Sequence, residues 1–344
     1  MIECIFTIDY EIYGNGQGSL REVVYEPAEK LKEIFLRWNA RLVIFVEVAE
    51  LEMIEAKEAD PAIELVKEQI REFHRSGFEL GLHLHPQWYG AKYENRKWIL
   101  DYSEYNLCNL KQERMIEYLD RSIAYFRKTL DLPEFSPFSF RAGNWLLQPT
   151  QSITGALAER QIKVDSSVFK GGLQSKNNLD YRAALNNGFY WHFQQDVNVP
   201  DPRGSLLEIP TYTQMVFPWK MYTKKRVELD RKAPGITNEG VKSRVQTWTE
   251  RFKDRFRFRY PLKFDFCRMT LDELIAMING IIKLDRREPS TFKPIVAIGH
   301  TKDLADIETI DTFLSYLNQK HIPISTFKQV YPKIVIDDSL AYVP

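Results

Sequence analysis

The chain has little sulfur chemistry to draw on. Its three cysteines, Cys4, Cys108 and Cys267, are odd in number and far apart, which argues against a disulfide framework or a thiolate metal cluster. They read as free thiols of a reducing compartment, so any metal must be held by nitrogen and oxygen. Long apolar runs are missing too; none approaches the ~20 residues needed to span a bilayer. The opening segment, Met1 to Asp9, reads as a strand without the basic region and apolar stretch of a signal peptide. A cytoplasmic location is expected. Net charge is also absent, with 47 Lys and Arg against 47 Asp and Glu, and no nucleic-acid reading motif is present. There is no Gly/Ser-rich linker, no low-complexity run and no internal repeat, so the 344 residues read as one domain.

What is present is alternation. Short β-branched or apolar runs recur at Ile2–Asp9, Arg41–Glu47, Phe78–Leu84, Phe138–Arg141, Ile162–Ser166, Leu206–Pro210, Pro294–Gly299 and Ile322–Thr326. Helical patterns lie between several of them. Leu31, Ile34, Phe35 and Trp38 share a face over 28–38, and Ile63, Val66, Ile70 and Phe73 form a stripe that Asp60-Pro61 starts and Gly77 ends. Residues 112–130 form a further helix, and Thr270-Leu271-Asp272-Glu273 reads as a capping box. Alternation of this kind predicts an α/β fold with a parallel sheet covered by helices. Stretches near 87–111 and 170–262 are too long for ordinary loops and read as insertions.

Polar clusters fall at the ends of the predicted strands, where parallel α/β folds place their chemistry. Asp9 and Glu11 are two apart and face one way if the strand continues. Paired carboxylates can divide the work of metal ligand and general base. His83 and His85 repeat that spacing in a chain with only six histidines, and two same-face imidazoles suit Zn, Fe, Co or Ni. Arg141 can fix a buried carboxylate. Asp165 and Ser167 share a side, and His300 ends an apolar strand.

Taken in order, Thr7-Ile8-Asp9-Tyr10-Glu11, Gly81-Leu82-His83-Leu84-His85-Pro86, Arg141-Ala142-Gly143-Asn144-Trp145, Asp165-Ser166-Ser167 and Ile298-Gly299-His300 resemble the motifs of the polysaccharide deacetylase superfamily. The resemblance runs from Ile5 to about Ile324. It implies a distorted (β/α)7 barrel and metal-dependent hydrolysis of an N-acyl group, N-acetyl first, from a carbohydrate. By the same resemblance Asp9, His300, Arg141 and Asp165 are catalytic, Asp165 tuning His300. Glu11, His83 and His85 would hold one divalent ion, zinc first, with iron, cobalt or nickel open. Which of Asp9 and Glu11 is base and which is ligand stays open. Trp145, Tyr10 and Trp88 are the expected substrate contacts. The motifs depart from the usual pattern in lacking an adjacent Asp-Asp, in the narrow histidine spacing and in the missing second acid after Asp165. Those departures suggest a divergent branch, one working in surface-polysaccharide or lipopolysaccharide synthesis.

Two other classes compete. One is a deformylase or other amide hydrolase of the same superfamily; the other is a carbohydrate-binding protein that kept the barrel and lost turnover. Between Gln214 and Tyr260 thirteen Lys and Arg stand against five Asp and Glu. Val241, Val245, Trp248, Phe252 and Phe256 recur there at helical spacing, which reads as a packed helix with a solvated basic face. The functional alternative is a phosphate-bearing substrate, a nucleotide sugar or polyprenyl-linked glycan, with peripheral membrane contact.

Overall fold

The computed structural model describes residues 1–185, 190–232 and 258–337. The helical pattern through Val241 and Phe256 lies outside them. Ten strands carry the site: β1 (Ile2–Tyr10), β2 (Val43–Glu47), β3 (Glu79–Leu84), β4 (Ser139–Ala142), β5 (Val164–Asp165), β6 (Trp191–Phe193), β7 (Leu206–Glu208), β8 (Thr213–Val216), β9 (Tyr260–Lys263) and β10 (Lys293–His300). Strands β1, β2 and β3 are buried along their whole length, as expected of parallel strands covered on both faces.

One sheet runs in the order β6-β7-β5-β4-β3-β2-β1-β10. Seven of these strands are mutually parallel, and β6 alone pairs antiparallel. The sheet curls until its ends meet through single-residue bridges. Thr211, just after β7, bridges Phe169 and Val296, and Asp265 bridges Ile298. The Tyr212 and Phe266 amides donate to the carbonyls of Val296 and Ile298 at 3.0 and 2.9 Å. The result is a barrel of the (β/α)7 type, with nine α-helices among the described residues.

All seven parallel strands coincide with runs expected from sequence. The eighth run, Ile322–Thr326, is a correction, since only Ile324 bridges Cys4. β10 takes one edge of β1 from Ile2 to Asp9, and β2 takes the other from Thr7 to Tyr10. Only the stretch around Cys4 is left to pair. The 170–262 stretch supplies sheet strands β6 and β7 as well as the β8–β9 ribbon. Helices at Glu26–Arg37, Ile63–Arg75 and Gln112–Leu130 match their apolar stripes. The Thr270 capping box is formed on both sides and starts Leu271–Asp285.

Candidate metal centre and active site

The end of β1 delivers Asp9 and Glu11 to the same place, both almost fully buried. Each carboxylate has its own cation. Arg141, from β4, donates from Nη1 to Asp9 Oδ1 at 2.6 Å. Its remaining donors bond Thr7 Oγ1 and the Ser166 carbonyl, and its face lies on the Phe45 ring. Lys302 donates from Nζ to Glu11 Oε1 at 2.7 Å and to the Ile12 carbonyl. Burial pushes both carboxyl groups up, but the opposing charges win. Arg141, with His83 and His300, holds Asp9 below its usual range, and Lys302 and His85 hold Glu11 well below.

The free oxygens then point different ways. Glu11 Oε2 lies 3.3 Å from His85 Nε2 and 3.7 Å from His83 Nε2. Asp9 Oδ2 lies 3.4 Å from His300 Nε2 and 3.9 Å from His83 Nε2. His83 of β3 and His85 just after it bring their Nε2 atoms to 3.2 Å. Glu47, at the end of β2, completes a buried group of four possible ligands with Glu11, His83 and His85. Its carboxyl accepts from the amides of His85 and Glu50. Burial and the neighbouring Glu50 and Glu11 push it well above the usual range.

The histidine tautomers test whether these residues fit a metal. His83 Nδ1 lies 2.9 Å from the Arg141 carbonyl, so it carries the proton and Nε2 keeps its lone pair. Burial holds His83 neutral, lowering its pKa to about 4 against the pull of Asp9 and Glu11. His85 Nδ1 sits 3.1 Å from the side-chain amides of Gln87 and Asn144, while the buried Gln87 Oε1 has no partner. Half-turns of the Gln87 and Asn144 amides let their oxygens accept the His85 Nδ1 proton. That removes the orphan and frees both Nε2 atoms. Two neutral imidazoles and an ionised carboxylate suit a divalent ion of the zinc group.

The local backbone is shaped for this. A Cβ at Gly143 would lie 2.6 Å from the Leu84 carbonyl oxygen and 2.7 Å from the His85 ring, so the close approach requires glycine. Asn144 and Trp145 follow with φ of 55° and 68°, a left-handed pair uncommon for such residues and concentrated at functional sites. The turn aims Asn144 at His85.

Solved structures carry the comparison. No protein-family pattern matches the chain, and no curated protein does so. The chain superposes on a protein assigned as a polysaccharide deacetylase from Mycobacterium smegmatis with a TM-score of 0.54 at 14% identity, covering 97% of this chain and 90% of that one. It has the fold of the polysaccharide deacetylase superfamily. A probable polysaccharide deacetylase from Pseudomonas aeruginosa gives 0.50 at 13% identity over 96% and 89%. Puue allantoinase gives 0.51 at 11% identity over 100% and 92%.

Within this polysaccharide-deacetylase-type barrel, three expected roles need correction. Tyr10 points away from the centre: its hydroxyl donates to Gln69 Oε1 and its ring packs on Phe73, because alternate strand residues face opposite sides. Trp88 is 1% exposed and packs against Trp98, leaving no face for substrate. Asp165 bonds Ser167 and Glu208. Besides Asp9 and Glu11, the carboxylates that group with His300 are Asp265 and Asp303, the latter 3.7 Å from Nδ1. Trp145 is half-buried, with Arg141 5.3 Å and Lys263 4.0 Å from its ring centre. His300 is 21% exposed, the most open of the central groups.

Sequence reasoning missed Glu47, Lys302, Asp265 and Asp303. Glu47 had a readable signal, since it ends the wholly apolar run Val43-Ile44-Phe45-Val46 as the other site residues end theirs. Asp303 and Lys302 lie within three residues of His300, at the mouth of the same strand.

Proposed function

We propose that this protein is a metal-dependent amidohydrolase that removes an N-acyl group, N-acetyl first, from a carbohydrate. The observation that carries this reading is the division of the two carboxylates. Glu11 presents its free oxygen to both histidines, and Asp9 presents its own to His300. Glu11, His83 and His85 are the proposed ligands, with Glu47 supporting His85 from behind. When bound, a divalent cation, zinc by preference, supplies Lewis-acid polarisation of the acyl carbonyl and acidification of water.

The chain's own residues supply the proton traffic. Asp9, kept ionised by Arg141, takes a proton from the attacking water as its oxygen bonds the acyl carbon. Arg141 fixes one Asp9 oxygen so that the other stays aimed at the reacting atoms. As the carbon–nitrogen bond breaks, His300 delivers a proton to the departing amine, a contribution of roughly 10²–10⁴ in rate. Water is consumed, and a carboxylic acid and an amine are released. Trp145 offers a flat face beside Arg141 for a sugar ring.

The expected setting is the cytoplasm and surface-polysaccharide or lipopolysaccharide synthesis, with a nucleotide sugar or lipid-linked glycan as substrate. No helix of the described residues is long and apolar enough to cross a membrane. The near-equal likeness to Puue allantoinase is the reason to keep formyl groups and non-sugar amides in the screen. The test is metal analysis coupled to acetate and formate release, with and without chelator. One metal per chain and chelator-sensitive acyl release are expected. A metal-loaded protein that releases acid from no N-acyl sugar, nucleotide sugar or lipid-linked glycan would falsify the reading.

A further inference from the structure

Lys263 is half-buried and differs from the paired lysines of the barrel. Lys67 is bonded to Glu55 and Glu64, Lys293 to Asp285, and Lys302 to Glu11. Lys263 Nζ makes no hydrogen bond or ion pair among the described residues. It lies instead 4.0 Å from the ring centre of Trp145 and 4.5 Å from that of Phe169. The Trp145 indole in turn lies near Arg141, the residue bonded to Asp9. The unused ammonium therefore sits one aromatic ring away from the guanidinium that holds the proposed catalytic carboxylate.

An ammonium has three donors and no acceptor. Aromatic faces give it cation–π attraction, but they satisfy none of its N–H bonds. Burial has already pushed Lys263 down to about 8, although the charges of Asp265 and Asp9 oppose the shift. An incoming anion supplies what is missing, both acceptors and countercharge. Arg259, just before β9, and Lys220 line a separate groove of about 510 Å³ together with Tyr212 and Phe217.

We propose that Lys263 recognises an anionic substituent, a carboxylate or a phosphate, on the substrate of this site, with Trp145 beside the sugar that carries it. The proposal rests on the amidohydrolase reading for its location and names the substrate class, an acidic N-acyl sugar.

The test measures binding by calorimetry and KM by acid release on metal-loaded protein. Three ligands are compared: N-acetylglucosamine, N-acetylglucosamine 1-phosphate and an N-acetylated aminouronic acid. Wild type should prefer at least one charged ligand, and the arm that responds identifies phosphate or carboxylate. Lys263→Gln should raise Kd and KM for that ligand tenfold or more, leave the neutral sugar unchanged and keep kcat within twofold. Lys263→Arg should restore affinity to within threefold. Equal losses on all three ligands, or no loss on any, would overturn the proposal. Wild-type protein with no preference for charge would overturn it without any variant. Charge-selective, Lys263-dependent binding without turnover would remove the hydrolase reading and leave this one standing. Acyl release from neutral sugars with no charge preference would do the reverse.

Discussion

Arg141 and Asp9 meet at 2.6 Å with both side chains almost wholly out of water. A buried pair of this kind cannot lose one member cheaply, because the survivor is left charged and unpaired. Arg141→Met is expected to destabilise the fold by about 3–5 kcal/mol and to abolish activity. Asp9→Asn keeps an oxygen for Arg141 to bond. It should cost less stability than Arg141→Met, keep its metal and lose roughly 10²–10⁴ in kcat. Urea unfolding and metal content separate the two effects, and an Asp9→Asn protein without metal would assign Asp9 to the ligand set.

Metal binding should survive mild acid. His83 is held neutral to about pH 4 by burial, so protons compete for its Nε2 only near that value. Dialysis at pH 5.5 should leave the metal in place, and dialysis near pH 4 should remove it. In metal-free protein the sign can be followed through stability. The unfolded chain protonates His83 from about pH 6.5 downward and the folded one does not, so stability is full above that range and falls as pH drops toward 4. Release of metal already at pH 6 would contradict the burial argument.

Gln87 should matter for metal affinity without touching the metal. Gln87→Leu removes one acceptor available to His85 Nδ1, and a tenfold to hundredfold loss of affinity is expected. His83→Ala and His85→Ala should lose the metal outright. A Gln87→Leu protein with wild-type affinity would leave the His85 tautomer to Asn144.

Glu208 gives a pH test at a carboxyl outside the proposed ligand set. It is fully buried, and burial together with Asp165 pushes its carboxyl well above the usual range. A raised acid contributes stability below its unfolded pKa and loses it as pH rises toward the folded value. Glu208→Gln imitates the protonated form at every pH. It should match wild type near pH 4 and exceed it in melting temperature at pH 8. Identical melting curves at pH 8 would show that Glu208 ionises freely.

Much of the barrel could be read from the chain because parallel strands carry their burial in uninterrupted apolar runs. β1, β2 and β3 were legible for that reason, and so were the residues at their ends. The i, i+2 spacing foretold that Asp9 joins Glu11 and that His83 joins His85. The same rule, applied to Tyr10, places it on the opposite side. Asp165 misled because strand ends look alike in sequence, whereas only the curl of the sheet decides which ends face each other. Asp265 reached His300 through a one-residue bridge between Asp265 and Ile298, a contact with no local pattern. Trp88 is held by Trp98, within a loop whose packing no periodicity announces.

The order of the strands also has a meaning in time. Asp9, Glu11, Glu47, His83, His85 and Arg141 all precede residue 142, while β10 and its His300 come about 160 residues later and pair β1 from Ile2 to Asp9. At roughly 5–20 residues per second on the ribosome, that delay is on the order of ten to thirty seconds. Throughout it, β1 presents an open edge that other chains can join. The proposed ligands are thus all synthesised before the proposed proton donor, and one edge of β1 waits for residue 300 to find its partner.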